Sequence, residues 1–333
     1  MSEGWLFRLG GLGDLLLALP SIRLVRRAFP EVRLLLVGRR EYASVLKEAG
    51  IVDEVASADE ARWAPFFSAV PGEAAAGMGH PSGLAGRDKV SLAFLWFHGG
   101  SSPALDRNLR AVFPEAAVGT FKADPSARLP LDRIFFDATA RFLRGQGFGD
   151  IPFEECAGLP IGAEIKRRGR ALLGGAAAGK RFAVVHPGSG SPRKCWPLDR
   201  FLEIVSFLAS EKLAGAVVTG EAEAPWEEDI ERAGLPPGWI WLCRPLLSDL
   251  AGLLASGAFY VGNDSGITHL AAVCGARVTA IFRDEHAAAW RPLGDVRVLS
   301  ASEVASIPVE KVRRALIGFI SGAISIENPA KKG

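Results

Sequence analysis

The chain has 333 residues, and its 39 Lys and Arg residues nearly balance its 37 Asp and Glu residues, which leaves a net charge of +2. A chain of this length is expected to form two domains. With 49% hydrophobic and 23% charged residues, the composition excludes wholesale disorder, a collagen-like sequence and a coiled coil. The near-neutral balance also predicts no nucleic-acid partner, because coating nucleic acid needs a clustered excess of Lys and Arg.

The cysteines and the apolar runs bear on the cellular location. Four cysteines lie far apart and form no Cys-x-x-Cys pair, so neither a zinc site nor a disulfide framework is predicted. The longest uninterrupted apolar runs, such as residues 34–37, are much shorter than the roughly 20 residues of a membrane helix. We therefore expect a cytoplasmic protein without a transmembrane segment, one that at most rests on a membrane surface.

The first half of the chain alternates predicted strands and helices. Apolar segments predict strands at 5–9, 32–37 and 90–97, and helical spacing predicts helices over 14–27, 103–113 and 135–143. Pro20 falls inside the first helix, where it should kink the helix or mark a restart. Residues 58–90 have little periodicity and are predicted to form a long loop, and the sequence assigns no role to its Gly- and Pro-rich stretch at 71–87.

Glycine and proline residues crowd near 150–162, which predicts a linker between two domains. Beyond it the alternation begins again, with strands predicted at 182–186, 216–219, 239–242, 259–261 and 278–282. The sequence thus predicts an α/β protein with two doubly wound, Rossmann-like domains that face each other across a cleft. The predicted domains are 1–155 and 156–307, followed by a C-terminal helix and tail at 308–333 that could pack back on the first domain.

Three loops carry candidate functional residues, and the first follows the first strand. Ligands of doubly wound sheets bind at the carboxyl ends of strands, where loops lead into helix N-termini. Gly10, Gly11 and Gly13 permit a positive φ angle and a close approach of a ligand to the backbone. Asp14, at the start of the helix, is either a capping carboxylate or a carboxylate at the cleft that accepts a proton.

The second loop, residues 186–197, lies between a strand and a helix that Pro197 can begin. Its small hydroxyl side chains, its glycine N–H groups and Lys194 are suited to a phosphate pocket, although the P-loop pattern is absent. Lys194 could instead be a solvated surface lysine, and His186 could be a buried histidine with its hydrogen bonds satisfied.

The third loop, residues 261–272, gathers Asn, Asp, Ser, Thr and His side chains at the end of a strand. Its helix begins at a glycine and so presents backbone N–H groups to an anion. Asp264 could simply cap that helix, and His269 could be a core residue. So many polar residues are rare in a structural loop, which favours a functional interpretation.

The three loops together resemble, in order, the signatures of glycosyltransferase family 9, the ADP-heptose:lipopolysaccharide heptosyltransferases. The similarity runs from Leu6 to about Leu299, and Trp290-Arg291-Pro292-Leu293-Gly294 looks like a late loop of the family. The matching segments read Gly-Gly-Leu-Gly-Asp-Leu-Leu-Leu-Ala-Leu-Pro, His-Pro-Gly-Ser-Gly-Ser-Pro-Arg-Lys-Cys-Trp-Pro and Gly-Asn-Asp-Ser-Gly-Ile-Thr-His-Leu-Ala-Ala. The resemblance implies a GT-B fold and an inverting, metal-independent transfer of a heptose or related sugar from ADP-heptose to a lipopolysaccharide core acceptor.

The resemblance also implies roles for individual residues. Asp14 matches the proposed general base, Lys194 the lysine that contacts the diphosphate, and Asp264 an aspartate near the donor sugar. Either Glu221 or Glu223 is placed to hold the ribose. The positions expected to bind the donor are Gly13, Ser189, Ser191, Lys194, Glu221, Glu223, Asp264, Ser265, Gly266 and His269. No metal and no cofactor are expected, since the ADP-sugar is itself the donor substrate.

The expected acceptor is a lipid-linked glycan, reached at the cytoplasmic face of the inner membrane. The basic positions that motivate a membrane contact could instead balance nearby acids; they are Arg23, Arg26, Arg27, Arg33, Arg39, Arg40, Arg107, Arg110 and Lys122. Two other functions remain open. One is an NADP-dependent Rossmann oxidoreductase, although Leu16 stands where the third glycine of the dinucleotide pattern belongs. The other is a non-catalytic member that binds a nucleotide sugar.

Overall fold

The computed structural model describes residues 2–68, 90–98, 103–127, 129–177 and 181–321. The Gly- and Pro-rich stretch at 71–87 lies outside the described residues. The chain divides into two compact units, Met1–Gly162 with Ala288–Leu293 and Ala163–Ala287 with Gly294–Gly333. No helix within the described ranges combines the length and the apolar character needed to cross a membrane.

The first unit is built on a five-stranded parallel sheet in the order β3-β2-β1-β4-β5. Its strands are β1 (Glu3–Phe7), β2 (Arg33–Gly38), β3 (Glu54–Ser57), β4 (Val90–His98) and β5 (Ala117–Ala123). Its helices are α1 (Leu12–Leu17), α2 (Leu19–Ala28), α3 (Arg40–Glu48), α4 (Ala64–Phe67), α5 (Pro103–Val112), α6 (Leu131–Gly145) and α7 (Phe153–Cys156). The central strands are continuously apolar because helices cover both faces of a parallel sheet.

The helix predicted over residues 14–27 is divided in two, and the restart predicted at Pro20 is confirmed. Ala18 ends α1 and also precedes α2. Pro20 lies in the first turn of α2, where its missing N–H has no helical partner to lose.

Part of the segment predicted to be a long loop is helical. Residues Ala61–Trp63 form a 3₁₀ turn that continues into α4. Trp63 and Phe66 are completely buried, and their rings lie 5.1 and 5.7 Å from the ring of Trp5. The loop prediction was wrong here because burial of two large aromatic side chains stabilises a short helix that local periodicity does not reveal.

The second unit contains a six-stranded parallel sheet in the order β11-β10-β9-β6-β7-β8. Its strands are β6 (Phe182–His186), β7 (Ala214–Thr219), β8 (Trp239–Cys243), β9 (Phe259–Asn263), β10 (Arg277–Arg283) and β11 (Val296–Ala301). Its helices are α8 (Ala163–Ala171), α9 (Leu198–Ser210), α10 (Glu227–Ala233), α11 (Leu247–Leu254), α12 (Gly266–Val273) and α13 (Val309–Ile320). The predicted α/β class with two parallel sheets is confirmed.

The division between the units comes later in the chain than the expected boundary at 155/156. Cys156 is buried, and Arg23 of α2 donates a 2.7 Å hydrogen bond to the carbonyl of Gly158, so this segment stays with the first unit. Residues 288–293 also belong to it, since the N–H of Leu131 bonds to the carbonyl of Ala289 at 3.0 Å.

The described part of the C-terminal segment, helix α13, packs within the second unit, and residues 322–333 of the tail lie outside the described residues. Val312 and Leu316 of α13 lie in the core of the second unit, alongside Phe201 and Ile204 of α9. Arg277 adds a hydrogen bond to the carbonyl of Phe319. An apolar helix face packs against a sheet that offers a complementary apolar surface. The sequence of the helix by itself does not show which sheet that is.

Candidate active site

Both sheets reverse their strand order at one point. The polar residues predicted to be functional follow the strands at that point, apart from Glu221 and Glu223, which follow β7. In the first sheet the reversal lies between β1 and β4, and in the second between β6 and β9. At such a point the loops that follow the two strands run to opposite faces of the sheet and leave a ligand crevice between them. The fold therefore assigns one candidate site to each unit.

In the first unit, Asp14 caps the helix that follows β1. It is the third residue of α1, and its Oδ2 accepts a 2.8 Å hydrogen bond from the N–H of Gly11. Gly10 has a φ of 127°, and a Cβ at this position would lie 2.5 Å from Oδ2. Oδ2 of Asp14 therefore caps α1, as the capping interpretation expects. Oδ1 is left for other partners.

Oδ1 of Asp14 faces two basic side chains. His98, the last residue of β4, forms a hydrogen bond with it through Nε2. Arg8, directly after β1, places Nη2 3.5 Å from the same oxygen. We call Arg8, Asp14 and His98 the first polar cluster. The side chains of Asp14 and His98 are 22% and 27% exposed, so a solute can reach them.

Arg8 is the fixed member of the first polar cluster. Its side chain is only 3% exposed. Nε donates to the carbonyl of Asp14 at 2.8 Å, and Nη1 donates to the carbonyls of Leu9 and Trp96, both at 3.2 Å. Burial lowers the pKa of the guanidinium, while the charge of Asp14 opposes that shift. Arginine stays protonated in proteins, so a buried positive charge stands beside the carboxylate.

The pKa of the Asp14 carboxyl lies below its ordinary value. Burial alone would raise it, but the hydrogen bond to His98, the charge of Arg8, the charge that His98 carries when it is protonated and the N–H of Gly11 together outweigh burial. Asp14 is therefore ionised at neutral pH. The ring of Trp290, in the segment of the first unit at 288–293, meets the ring of His98 edge-on with 6.0 Å between centroids.

In the second unit, Asn263 connects the loops that follow β6 and β9. Its Nδ2 donates to the carbonyl of Pro187 at 2.6 Å, and its Oδ1 accepts the N–H of Trp196 at 3.0 Å. Trp196 is completely buried, and its Nε1 donates to the carbonyl of Ile307. These bonds fix both ends of the loop that carries Lys194, which accounts for a defined shape in a segment rich in glycine and serine.

Asp264 gathers two basic side chains at the end of β9. Nζ of Lys194 and Nδ1 of His286 both lie 2.9 Å from its Oδ2. The side chain of Asp264 is 7% exposed, whereas those of Lys194 and His286 are 29% and 25% exposed. We call Lys194, Asp264 and His286 the second polar cluster. The alternative of a solvated surface lysine does not describe Lys194, because an ion pair with a buried carboxylate holds it.

Hydroxyl and backbone groups surround the second polar cluster. Ser189 Oγ donates to the carbonyl of Asp264 at 2.6 Å, while Ser191 accepts the N–H of Lys194 through its carbonyl. Ser265 caps α12 by accepting the N–H of Thr268, and Gly266 is the first residue of that helix. The capping role proposed as an alternative for Asp264 thus belongs to Ser265.

The structure distinguishes between the two candidate glutamates. Glu221 is exposed, whereas Glu223 is 3% exposed and its Oε2 accepts the N–H of Gly220 at 2.6 Å. A Cβ at Gly188 would lie 1.8 Å from Oε1 of Glu223, so only glycine allows the loop after β6 to pass this carboxylate. Glu223 is the glutamate that lies against the candidate phosphate loop.

Three other predicted residues lie near the clusters. His186 is buried, and its Nδ1 bonds to the carbonyl of Val218; burial lowers its pKa, so the alternative of a satisfied core histidine describes it. His269 is 3% exposed, one turn along α12 from Ser265. Gly13 is partly exposed, next to Asp14. Among the described residues, no group of three or more His, Cys, Asp and Glu side chains has the arrangement of a metal site.

Sequence reasoning missed Arg8, His98 and His286. A signal existed for two of them. Arg8 directly follows a buried strand, and His98 ends the long apolar run of β4, so each is a polar residue at the carboxyl end of a strand. His286 lies beyond β10, in a segment without regular structure, and only the folded chain brings it to Asp264.

The sequence model of one protein family, glycosyltransferase family 9 (heptosyltransferase), matches residues 102–315. No curated protein sequence matches the chain. Among solved structures, a glycosyl transferase family 9 protein from Veillonella parvula is similar with a TM-score of 0.72, at 15% identity over 97% of this chain and 98% of that chain. E. coli ADP-heptose LPS heptosyltransferase II has a TM-score of 0.69, at 14% identity over 96% of this chain and 99% of that chain.

E. coli heptosyltransferase WaaC, solved with ADP, has a TM-score of 0.66, at 17% identity over 96% of this chain and 99% of that chain. At such low identity these likenesses establish the fold, and the predicted GT-B class is confirmed. The family match covers more than half of the chain and argues against the oxidoreductase alternative.

Proposed function

The chain belongs to glycosyltransferase family 9, and on that premise we propose that it is an inverting, metal-independent transferase that moves a heptose, or a related sugar, from ADP-heptose to a lipopolysaccharide core acceptor. The observation that carries this proposal is the second polar cluster. Lys194 lies at a strand-order reversal and pairs with Asp264, which precedes the start of α12 by two residues and whose carbonyl accepts the hydroxyl of Ser189. Cationic and N–H groups at this point of a doubly wound sheet suit a nucleoside diphosphate.

The second polar cluster is suited to hold the leaving group. When a diphosphate binds, Lys194 exchanges the carboxylate of Asp264 for phosphate oxygens, and the free N–H groups at the start of α12 supply further donors. Ser189, Ser191 and Ser265 add hydroxyl groups along the same loops. These groups stabilise the negative charge that develops on the departing ADP. Asp264, freed from Lys194, can contact the donor sugar.

Glu223 is proposed to hold the ribose. Its carboxylate lies against the candidate phosphate loop and is buried, whereas Glu221 is exposed. A buried carboxylate accepts hydrogen bonds from two vicinal hydroxyls without competition from water. Gly13 and His269 stay among the proposed donor contacts on the strength of the family pattern.

The first polar cluster is suited to activate the acceptor. Inverting transfer needs one group that takes the proton of the acceptor hydroxyl as the hydroxyl attacks the anomeric carbon. The carboxylate of Asp14, which the family pattern assigns to this step, is ionised and partly exposed beside His98. Arg8 fixes the position of Asp14 through the helix backbone and through its charge.

A lipid-linked acceptor at the cytoplasmic membrane surface is proposed from the family alone. Most of the basic residues that suggested a membrane contact have acidic or carbonyl partners: Arg26 pairs with Asp53, Arg27 with Glu155, Arg33 with Glu54, Arg40 with Glu60 and Arg110 with Asp106, and Arg23 bonds to Gly158. Such pairs reduce the charge available to an anionic surface. This part of the proposal therefore receives no support from the basic residues.

The test is an assay of ADP release from ADP-heptose, with and without a lipopolysaccharide core acceptor. We expect release that depends on the acceptor, and a product whose new linkage has the opposite anomeric configuration to the donor. ADP-heptose binding without release in the presence of acceptor would identify a non-catalytic member. Equal release with and without acceptor would identify a hydrolase.

A further inference from the structure

Both oxygens of the Asp14 carboxylate have partners within the protein. Oδ2 accepts the N–H of Gly11, and Oδ1 interacts with Nε2 of His98 and with the guanidinium of Arg8. The negative charge of the carboxylate is thus already stabilised by an N–H donor and two basic side chains before a substrate binds. A carboxylate held in this way by its neighbours is a poor proton acceptor, and its pKa below the ordinary value agrees with that.

His98 has the complementary arrangement. An ionised carboxylate only accepts hydrogen bonds, so the bond to Asp14 requires the proton of the imidazole to lie on Nε2. In the neutral ring, Nδ1 then carries the lone pair. Within the part of the chain that the structure describes, no hydrogen bond to Nδ1 is present, and the side chain is 27% exposed. The basic nitrogen of the pair is therefore the available one.

From this geometry we propose that Nδ1 of His98 takes the proton of the acceptor hydroxyl, and that Asp14 is a positioning residue that fixes the tautomer of His98 and stabilises its protonated form. The proposal rests on the proposed transferase function. It changes the atom that receives the proton and leaves the requirement for the Asp14 carboxylate in place. The same division of roles between an imidazole and a buried carboxylate operates in hydrolases that use a serine nucleophile.

Proton transfer to His98 accompanies the transfer of the sugar. The O–H bond of the acceptor breaks, its proton goes to Nδ1 of His98, and its oxygen forms a bond to the anomeric carbon of the donor sugar. The bond from that carbon to the diphosphate oxygen breaks, and ADP leaves with the electron pair. The imidazolium, held between the acceptor and Asp14, returns its proton to water before the next cycle.

Arg8 and the sheet neighbours set the environment of this step. The charged groups of the described residues that face His98 are Asp14 on α1 and Arg8 after β1. On the other side, β5 presents Ala123 as the sheet partner of His98, and the segment at 288–293 presents Trp290. Neither of these two side chains titrates. Asp14 therefore bonds directly to the ring, and Arg8 lies on the other side of the carboxylate.

The experiment compares His98→Gln and His98→Ala with the wild-type enzyme. We expect kcat/KM for transfer to fall about 10²- to 10⁴-fold in both variants, the usual contribution of a general base. The dissociation constant for ADP should stay within threefold, because the second unit holds the nucleotide. Added imidazole should restore part of the activity of His98→Ala, which loss of a merely structural side chain would not allow.

The pH profile separates the two candidate bases. Only a neutral imidazole accepts a proton, so a histidine base gives the profile of kcat/KM against pH an acidic limb. With an acceptor that lacks phosphate monoesters, the wild-type profile should therefore show such a limb, and His98→Gln should lose it. If Asp14 were the base, the wild-type rate would stay level down to about pH 5, since carboxyls titrate near 4.

The outcomes are distinct. Transfer by His98→Gln within tenfold of wild type, or a wild-type profile that is level between pH 5 and 8, overturns the role of His98 and leaves the transferase function standing. The wild-type profile decides the matter even if both variants fail to fold. Absence of transfer by the wild-type enzyme overturns the proposed function itself, and with it this inference.

Discussion

Asp14 in the first unit and Asp264 in the second both follow strands at a strand-order reversal, and each carboxylate meets a histidine and a second cation. The partners differ in how firmly they are held. Arg8 is 3% exposed and bonded to three carbonyls, whereas Lys194 is 29% exposed and bonded through Nζ to Asp264. The first polar cluster is therefore a fixed arrangement, and the second polar cluster contains a cation that a ligand can recruit.

This difference matches the chemistry proposed for each cluster. A proton acceptor needs constant geometry, so the site is built on short connections and a buried guanidinium. An anion site needs a cation that has a partner in the free protein and gains stronger hydrogen bonds when the anion binds. Lys194 accordingly lies on a long loop. Substitutions in the first polar cluster should therefore change the rate, and substitutions in the second should mainly change nucleotide affinity.

The largest expected effect tests the first polar cluster. Asp14→Asn keeps an oxygen that can accept the N–H of Gly11, but it removes the charge that orients His98. Transfer should fall about 10²- to 10⁴-fold, while ADP affinity and the melting temperature should stay near those of the wild type. Steady-state kinetics with saturating acceptor provide the measurement. Transfer within threefold of wild type would show that Asp14 only caps α1.

The second polar cluster is tested by Lys194→Ala. Loss of a charge-assisted phosphate contact is worth roughly 1.5–3 kcal/mol, or about ten- to a hundredfold in ADP affinity. Titration calorimetry with ADP measures this effect. Arg193→Ala is the matched control, because Arg193 is an exposed cation next to Lys194 on the same loop. Equal losses in the two variants would mean that only the overall charge of the loop matters.

The sequence predicted the second polar cluster more completely than the first. Lys194 and Asp264 lie in polar segments whose residue types suggest anion binding, so the order of the motifs was enough to assign them. Only topology revealed the partners of Asp14. His98 lies 84 positions away and reaches Asp14 because β4 pairs with β1, a neighbour that is not consecutive in the chain.

Strands and helices were predicted correctly where the pattern of apolar residues was strong. Continuous apolar runs identified β2, β4 and β6, whereas α4 was missed because its stability comes from the contacts of Trp63 and Phe66 with Trp5. The structure also distinguished between two glutamates that sequence could not separate. Glu221 and Glu223 both follow strand β7 and lie only two residues apart. They differ in burial, because Glu223 is buried against Gly188.

A smaller effect on ADP affinity is expected when Glu223 is substituted. Glu223→Gln keeps an oxygen for the N–H of Gly220 but weakens a hydrogen bond to the ribose by about 1 kcal/mol, or roughly fivefold in ADP affinity. Glu221→Gln, at an exposed position two residues away, should leave the affinity unchanged. Calorimetry on both variants gives the comparison. A loss confined to Glu221→Gln would move the ribose contact to the other glutamate.

The smallest expected effect is that of a chelator, for which we expect no change in the rate of transfer. In the second polar cluster, the charge of Lys194 and the N–H groups at the start of α12 are available to stabilise the departing diphosphate, a role that a divalent cation has in other transferases. Because Lys194 already pairs with Asp264, its positive charge is in place before the donor arrives. The measurement is transfer in EDTA, with Lys194→Ala assayed in parallel with and without added magnesium. Activity that EDTA abolishes and magnesium restores in the wild-type enzyme would assign this charge to a metal ion, and Lys194 would then have a different role from the one proposed here.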